Sequence, residues 1–278
     1  MLLDRVTLGD HVCWTVDDDA VRMTSIAAFV RAGLGAGHRV LYCGDDPEAV
    51  LAGLSHHGVG TGAATGSGLL SVATAEDVYL TGGRFDPEST LARWRTQIAA
   101  CRAAGLPGIR VIGDMTWATR SVPGADRLFW YEAEVNNLFT DGYVAGVCAF
   151  DARRFDPRLL GRLGQAHPGA AATGAPYDPS CSLRVRRTHR PWGLRLTGEA
   201  DVSAREALRA LIAHLFDDAP EVTVDVAGLR FADSSACRLL VGAASGGRGR
   251  LRLTGCSAAL RRLLAFHGAA AVPGLSVE

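Results

Sequence analysis

Lysine is missing from this chain: all 29 of its Lys+Arg positions are arginine. That excludes Schiff-base catalysis and any mechanism built on a phosphate-binding lysine. Net charge is missing too, since 29 acidic residues balance the 29 basic ones. No global field therefore draws the chain to nucleic acid or to a membrane surface, and neither is expected as a direct partner. No apolar run approaches transmembrane length, and the first residues lack the charged and apolar regions of a secretion signal, so a cytoplasmic protein is expected. The cysteines Cys13, Cys43, Cys101, Cys148, Cys181, Cys237 and Cys256 are odd in number and never spaced C-x-x-C. Such a pattern fits reduced thiols, mostly buried as small apolar residues.

What is present organises into two α/β units. At 278 residues the chain suits one large or two ordinary domains. Residues 1–166 alternate strand and helix signals, with strands over 12–16, 39–43, 69–72, 109–114 and 143–150. Helical patterns lie between them at 21–34, 47–57, from Asp86 onward and at 125–138, and Leu91, Trp94, Ile98 and Cys101 share one helical face. Apolar strands in such an alternation predict a parallel sheet covered on both faces. Ligands of these sheets usually sit at the carboxyl ends of the strands, which here carry Asp17, Cys43, Asp114 and Asp151. Residues 167–180 turn to Gly, Ala and Pro without periodicity and read as a linker. Residues 181–278 then form a smaller α/β domain, a mixed sheet with helices on one side. Its first helix is marked by Leu208, Leu211, Ile212 and Leu215, its last by Leu260, Leu263 and Leu264.

The most informative stretch is 222–236. A strand, Val222-Thr223-Val224-Asp225-Val226, is followed by a turn around Gly228, and Asp233-Ser234-Ser235 stands directly before the apolar helical run 236–241. Asp and Ser cap helices because their oxygens accept from the first unpaired N–H groups. A hydroxyl is thus placed at an exposed helix start, within reach of a kinase and beside a dipole that tolerates phosphate. Together with Leu194-Arg195-Leu196-Thr197-Gly198-Glu199-Ala200-Asp201 upstream and Leu251-Arg252-Leu253-Thr254-Gly255 downstream, this segment resembles the signature of STAS domains, the fold of anti-sigma factor antagonists. One departure is Ala236, where the family usually has Gly. The resemblance implies an anti-sigma factor or serine kinase of the histidine-kinase-like ATPase type as partner. It implies phosphorylation at Ser234, with Ser235 as the second choice, and a partner-binding edge of Asp201, Asp225, Asp233 and Ser234.

The front half carries its own set of motifs. They are His11-Val12-Cys13-Trp14, Thr81-Gly82-Gly83-Arg84-Phe85-Asp86, Asp114-Met115-Thr116-Trp117, Tyr131-Glu132-x-x-x-Asn136, Cys148-x-x-Asp151-x-x-Arg154-Phe155 and His167-Pro168. In this order they resemble the MEDS domain, a sensory module of methylotroph and methanogen regulators. The resemblance implies a RecA/KaiC-like sheet and the sensing of an unidentified small molecule. A P-loop is lacking: Trp14-Thr15-Val16-Asp17-Asp18-Asp19 puts three carboxylates where a Walker loop needs glycines and a lysine. Asp114 reads at most as a relic of a Walker B acid, so ATP turnover is not expected and the chain is read as a non-enzyme.

Candidates for ligand binding are the aromatics Trp14 and Trp117, with Asp114, Glu132, Arg84 and Asp151 as polar groups. Trp130 and Tyr131 add aromatic area. His11, Cys13, Cys148 and His167 are the soft-ligand candidates, and His11 and Cys13 share a strand face. Their spacing makes no compact metal motif, so buried thiols and hydrogen-bonded histidines are the preferred reading, and no cofactor is specified. A homodimer is compatible with the sequence. Two main functional readings follow: partner binding controlled by serine phosphorylation, or a ligand- or metal-binding sensor whose STAS domain serves only assembly; a nucleotide-binding protein or ATPase is a less favoured third.

Overall fold

Strands that are apolar on both faces must be covered on both. The computed structural model, which describes residues 2–278, satisfies this with six parallel strands in the order β3-β2-β4-β5-β1-β6. They are β1 (His11–Val16), β2 (Arg39–Gly44), β3 (Leu70–Thr74), β4 (Ile109–Asp114), β5 (Val144–Asp151) and β6 (Gly169–Ala172). Between them run α1 (Asp19–Gly35), α2 (Pro47–His56), α3 (Thr61–Gly66), α4 (Ala75–Val78), α5 (Pro87–Ala103), α6 (Leu128–Glu134) and α7 (Pro157–Gln165). Side chains alternate across the strands, so Val12, Trp14 and Val16 enter the core under α1 and α2, while Cys13, Cys148 and Phe150 enter the opposite core under α5, α6 and α7.

Three of these helices start the same way. Asp46, Asp86 and Asp156 each accept a hydrogen bond from the first turn, and the proline that follows each one sits where its missing N–H costs nothing. The helix expected over 125–138 is instead broken into a 3-10 turn (Ala125–Arg127), α6, and a second 3-10 turn (Val135–Leu138). Its last part tightens where the Asn136 side chain donates back to the carbonyls of Glu132 (3.0 Å) and Ala133 (2.9 Å). Such back-bonding competes with the helical ladder.

The second sheet is five-stranded, in the order β11-β10-β9-β8-β7. It consists of β7 (Arg184–His189), β8 (Trp192–Ala200), β9 (Glu221–Ala232), β10 (Arg250–Thr254) and β11 (Leu275–Val277), with only β7 and β8 antiparallel. One core gathers its strands with α8 (Arg205–Ala213), α9 (Ser234–Ser245) and α10 (Ala258–Phe266). The whole is α/β, as the sequence led us to expect.

Two local expectations fail. The turn read around Gly228 is strand: β9 continues to Ala232, kept in register with β8 by bulges near Thr197 and Gly198. The stretch read as a linker begins with structure, since Gly169–Ala172 pairs in parallel with β1 as an edge of the first sheet. Nor are the two domains loosely tethered. Arg184 donates to both carboxylate oxygens of the buried Asp10 (2.9 and 3.2 Å), and Arg186 donates to the carbonyls of Leu8 (2.7 Å) and Gly9 (2.8 Å). Gly9 allows this approach: its φ is +91°, and a Cβ there would stand 2.1 Å from the Arg186 guanidinium carbon. On the other side of the seam Ala133, Ala166 and Ala210 pack together, near the His214–Glu134 contact (2.8 Å) and the Arg205–Gln165 hydrogen bond (3.1 Å).

Candidate functional site

Four polar side chains meet inside the core beneath α6 and α7. His11 comes from the start of β1, Cys148 from the middle of β5, Glu132 from α6, and His167 from the turn just after α7. All four are buried, Glu132 at 0 % and His167 at 1 % exposure. One donor atom from each lies within 4.8 Å of all the others. The sheet explains the placement: β1 and β5 are neighbours, with His11 opposite Gly146 and Cys13 opposite Cys148. Gly146 leaves room for the His11 ring, because a Cβ there would come within 2.6 Å of Phe139 and 3.4 Å of His11. Phe139 stacks on the other side of that ring, centroids 4.6 Å apart, and His167 tilts against it at 4.2 Å.

The hydrogen bonds define the proton positions. Asn136 donates its amide N–H groups to the carbonyls of Glu132, Ala133 and Ala166, so its oxygen faces His11 Nδ1 at 3.0 Å and accepts from it. His167 Nδ1 donates to the Leu163 carbonyl at 2.8 Å. In its neutral form each ring then carries its lone pair on Nε2, pointing inward. The Cys148 thiol donates to Glu132 Oε2 at 3.3 Å, and His167 Nε2 lies 3.3 Å from the same oxygen. Burial pushes the Cys148 thiol well above its usual range, and the neighbouring carboxylate adds to this. Burial likewise lowers His11, and the His167 ring lowers it further. Burial opposes ionisation of Glu132, and a proton on His167 or His11 would hold its carboxyl low.

Beside this cluster, and sharing His11 and Cys148 as wall, is an apolar cavity of about 40 Å³ lined by Tyr79, Trp94, Tyr131 and Val135 among others. Its volume exceeds the ~10–15 Å³ that one water requires.

The structure thus brings together three of the four soft-ligand candidates and replaces the fourth. Cys13 shares the strand face with His11 but stands outside the cluster, and Glu132 takes the place expected for it. His11, Cys148 and His167 are buried and hydrogen-bonded, in keeping with the preferred reading, and their polar atoms also converge on one point. The location also differs from the expectation, since the cluster lies on the face of the sheet and not at the carboxyl ends of its strands.

The other ligand candidates are used structurally. Trp14 is fully buried in the opposite core. Trp117 is fully buried against Phe85 (4.9 Å) and Tyr79 (5.6 Å), and it does not line the cavity. Asp114 caps the 3-10 turn that follows β4, accepts from Tyr42 at 3.2 Å and pairs with Arg22, so no reactive acid is left free there. Asp151 is clamped by Arg153, which also binds Asp19. Arg84 is exposed on the loop before α5. Asp18 caps α1 through the Val21 N–H, so the strand-to-helix turn at β1 is closed by a carboxylate in place of a phosphate loop. Asn136, which orients both the helix and the His11 ring, was visible only as the last residue of the Tyr131-Glu132-x-x-x-Asn136 spacing.

In the second domain Ser234 is exposed as the first residue of α9, and Ser235 is half-buried behind it. Asp233 caps the helix, accepting from Ala236 at 2.8 Å, and its own N–H donates to Ala200. Asp201, next to Ala200, caps the turn before α8 through Ser203 and so stands beside Asp233. Asp225 does not join them: it sits back along β9 and pairs with Arg195 at 2.8 Å. Phe231 and Val202, each 52 % exposed, flank the serine edge. A groove of about 150 Å³ adjoins it, lined by Leu229, Phe231, Leu260 and Leu263 among others.

The comparisons fit this division. The family model described as the methanogen/methylotroph, DcmR sensory domain (MEDS) matches residues 10–168, and a model described as the Mlab STAS domain matches residues 183–274. No curated protein matches the chain. Among solved structures it is similar to the flagellar accessory protein FlaH from Methanocaldococcus jannaschii, at 10 % identity and a TM-score of 0.42 over 60 % of this chain and 72 % of that one. It is also similar to a KaiC-like protein from Pyrococcus horikoshii, at 11 % identity and a TM-score of 0.44 over 68 % of this chain and 77 % of that one.

Proposed function

Since this chain belongs to the MEDS sensory family and carries a STAS domain behind that module, we propose that it couples small-molecule sensing to a phosphorylation-controlled partner switch. Its two domains make it a signalling regulator, a sensor joined to an anti-sigma-antagonist-like unit. In the finer reading the protein is cytoplasmic and non-catalytic and acts on transcription by binding an anti-sigma factor of the serine-kinase type. No helix among the described residues is long and apolar enough to cross a membrane.

The observation that carries the proposal is the placement of Ser234, exposed at the first position of α9 between Asp233 and the apolar pair Phe231 and Val202. A partner that buries Phe231 and fills the groove beside it would dock three residues along the chain from the serine. Phosphate adds about −1.5 to −2 charges to an edge that already holds Asp201 and Asp233, and its burial against an apolar or acidic partner face is then unfavourable. The helix N-terminus offsets part of this charge in the free protein, so the modified form is stable by itself. Sensing is assigned to the apolar cavity between Tyr79, Trp94 and Tyr131, whose volume of about 40 Å³ admits only a molecule of a few non-hydrogen atoms.

The test is binding to a candidate anti-sigma kinase by calorimetry. Ser234→Ala is expected to bind like the unmodified chain and Ser234→Asp to lose at least about tenfold in affinity, a change of about 1.4 kcal/mol. Equal binding by both variants, with no phosphate transferred to the wild-type chain, would refute the switch.

A further inference from the structure

We propose that His11, Glu132, Cys148 and His167 bind one divalent transition-metal ion of the zinc class in a buried, four-coordinate centre. The spacing of the donors is the first argument. His11 Nε2 lies 3.4 Å from Cys148 Sγ and 3.5 Å from Glu132 Oε2. Glu132 Oε2 in turn lies 3.3 Å from both His167 Nε2 and Cys148 Sγ. An ion held tetrahedrally by bonds of about 2.0–2.3 Å sets its donors about 3.3–3.7 Å apart. Four of the six donor–donor distances fall in that range, and the remaining two are within 4.8 Å.

Orientation is the second argument. The Nδ1–H of His11 is held by Asn136, whose amide is itself locked by three carbonyls, and the Nδ1–H of His167 is held by the Leu163 carbonyl. Each ring is thereby left with its Nε2 lone pair aimed at the common centre. Metal-binding histidines are held in the same way, the far nitrogen bonded to a carbonyl or amide oxygen.

Satisfaction of polar atoms is the third. Among the described residues His167 Nε2, beside Glu132 Oε2, has no hydrogen-bond partner although its ring is fully buried. Buried polar atoms in proteins are paired as a rule, and a cation between them supplies the partner. Charge and softness complete the case. When the ion enters, the Cys148 thiol gives its proton to solvent, a sulfur–metal bond replaces the S–H bond, and Glu132 exchanges that thiol for the metal. Thiolate and carboxylate together carry −2, which a divalent ion neutralises, so no net charge is buried. Two imidazoles, one thiolate and one carboxylate select zinc, cobalt or iron over magnesium or calcium.

The inference goes beyond the serine switch and is independent of it. The test uses the full chain, stripped with a chelator and titrated with Co²⁺ as the probe. We expect one equivalent bound, with the ligand-field absorption of four-coordinate cobalt and a thiolate-to-cobalt charge-transfer band, both lost when Zn²⁺ is added. Cys148→Ser should abolish the charge-transfer band and Cys13→Ser should keep it. Asn136→Leu, which frees the His11 ring, should weaken binding about 10–100-fold. X-ray absorption on the zinc-loaded wild type needs no variant to fold, and it should give one sulfur and three nitrogen or oxygen neighbours. No uptake of Co²⁺ or Zn²⁺ by the wild type, a shell without one sulfur, or a charge-transfer band that survives in Cys148→Ser overturns the proposal. Ser234→Asp should bind the metal like wild type, so failure of the switch and failure of the centre are separate results.

Discussion

Cys181 shows how much one side chain's surroundings decide. It is the exposed thiol among the seven, in the turn before β7, while the other six are buried. Burial pushes Cys13 and Cys148 up, which leaves them little reactive thiolate. An aromatic disulfide reagent added to the native chain should therefore release one fast equivalent, with the rest waiting for local opening, and Cys181→Ser should release none in that phase. Two or more fast equivalents in the wild type would contradict the burial described. The same scale explains what could be foreseen at the centre. His11, Cys148 and His167 were visible as soft donors, and Glu132 and Asn136 as residues one helical turn apart. What no spacing could show is that Glu132 points inward and Cys13 does not join, because that choice is made by the reach of side chains across two packed elements.

At the level of elements, the starts of helices were the most legible feature. The pairs Asp46-Pro47, Asp86-Pro87 and Asp156-Pro157 each combine a cap with a preset φ, and each opens a helix. Strands with their own apolar pattern were also legible, and β4 falls on the expected residues 109–114. Less visible were α3 and β6, built from Thr61–Gly66 and Gly169–Ala172: glycines offset alanine's helix preference in α3, small residues run against strand in β6, and burial of Ala64 or pairing with β1 decides the outcome. The helix α8 ends at a charged contact that responds to pH. His214 donates from both ring nitrogens, to Asp217 at 2.7 Å and to Glu134 of α6 at 2.8 Å; Arg248 pairs with Asp217, and Asp218 and Arg187 line the same cleft. Partial burial works against the charged ring, but the two carboxylates outweigh it and raise its pKa. A folded-state pKa above the unfolded one contributes stability that is complete below about pH 6.5 and disappears as pH climbs through the raised value. The ring is 44 % exposed, so the contribution is about 0.2–1 kcal/mol. The melting-temperature gap between wild type and His214→Asn should be widest below pH 6.5 and close in alkali; a gap that widens with pH would reverse the assignment.

For the whole molecule, the seam between the domains is a structural unit and not a hinge. Asp10 is buried under Arg184, and parting the domains would leave its carboxylate without that partner. Ala133, Ala166 and Ala210 meet there, each almost fully buried, with Phe129 packed against them. The native chain should therefore melt in a single calorimetric transition. Ala210→Leu, which forces methylenes into that contact at a cost of about 1–3 kcal/mol, should split the transition in two. Two transitions in the wild type would show the halves to be independent. The seam has a mechanical consequence. Glu132 is followed directly by Ala133, and His167 is preceded directly by Ala166, so one peptide link separates each of these buried donors from the surface that α8 rests on. A shift of either donor by a fraction of an ångström is handed to the neighbouring domain with no slack to absorb it, and lengthening the chain between residues 167 and 180 would leave that route of transmission intact.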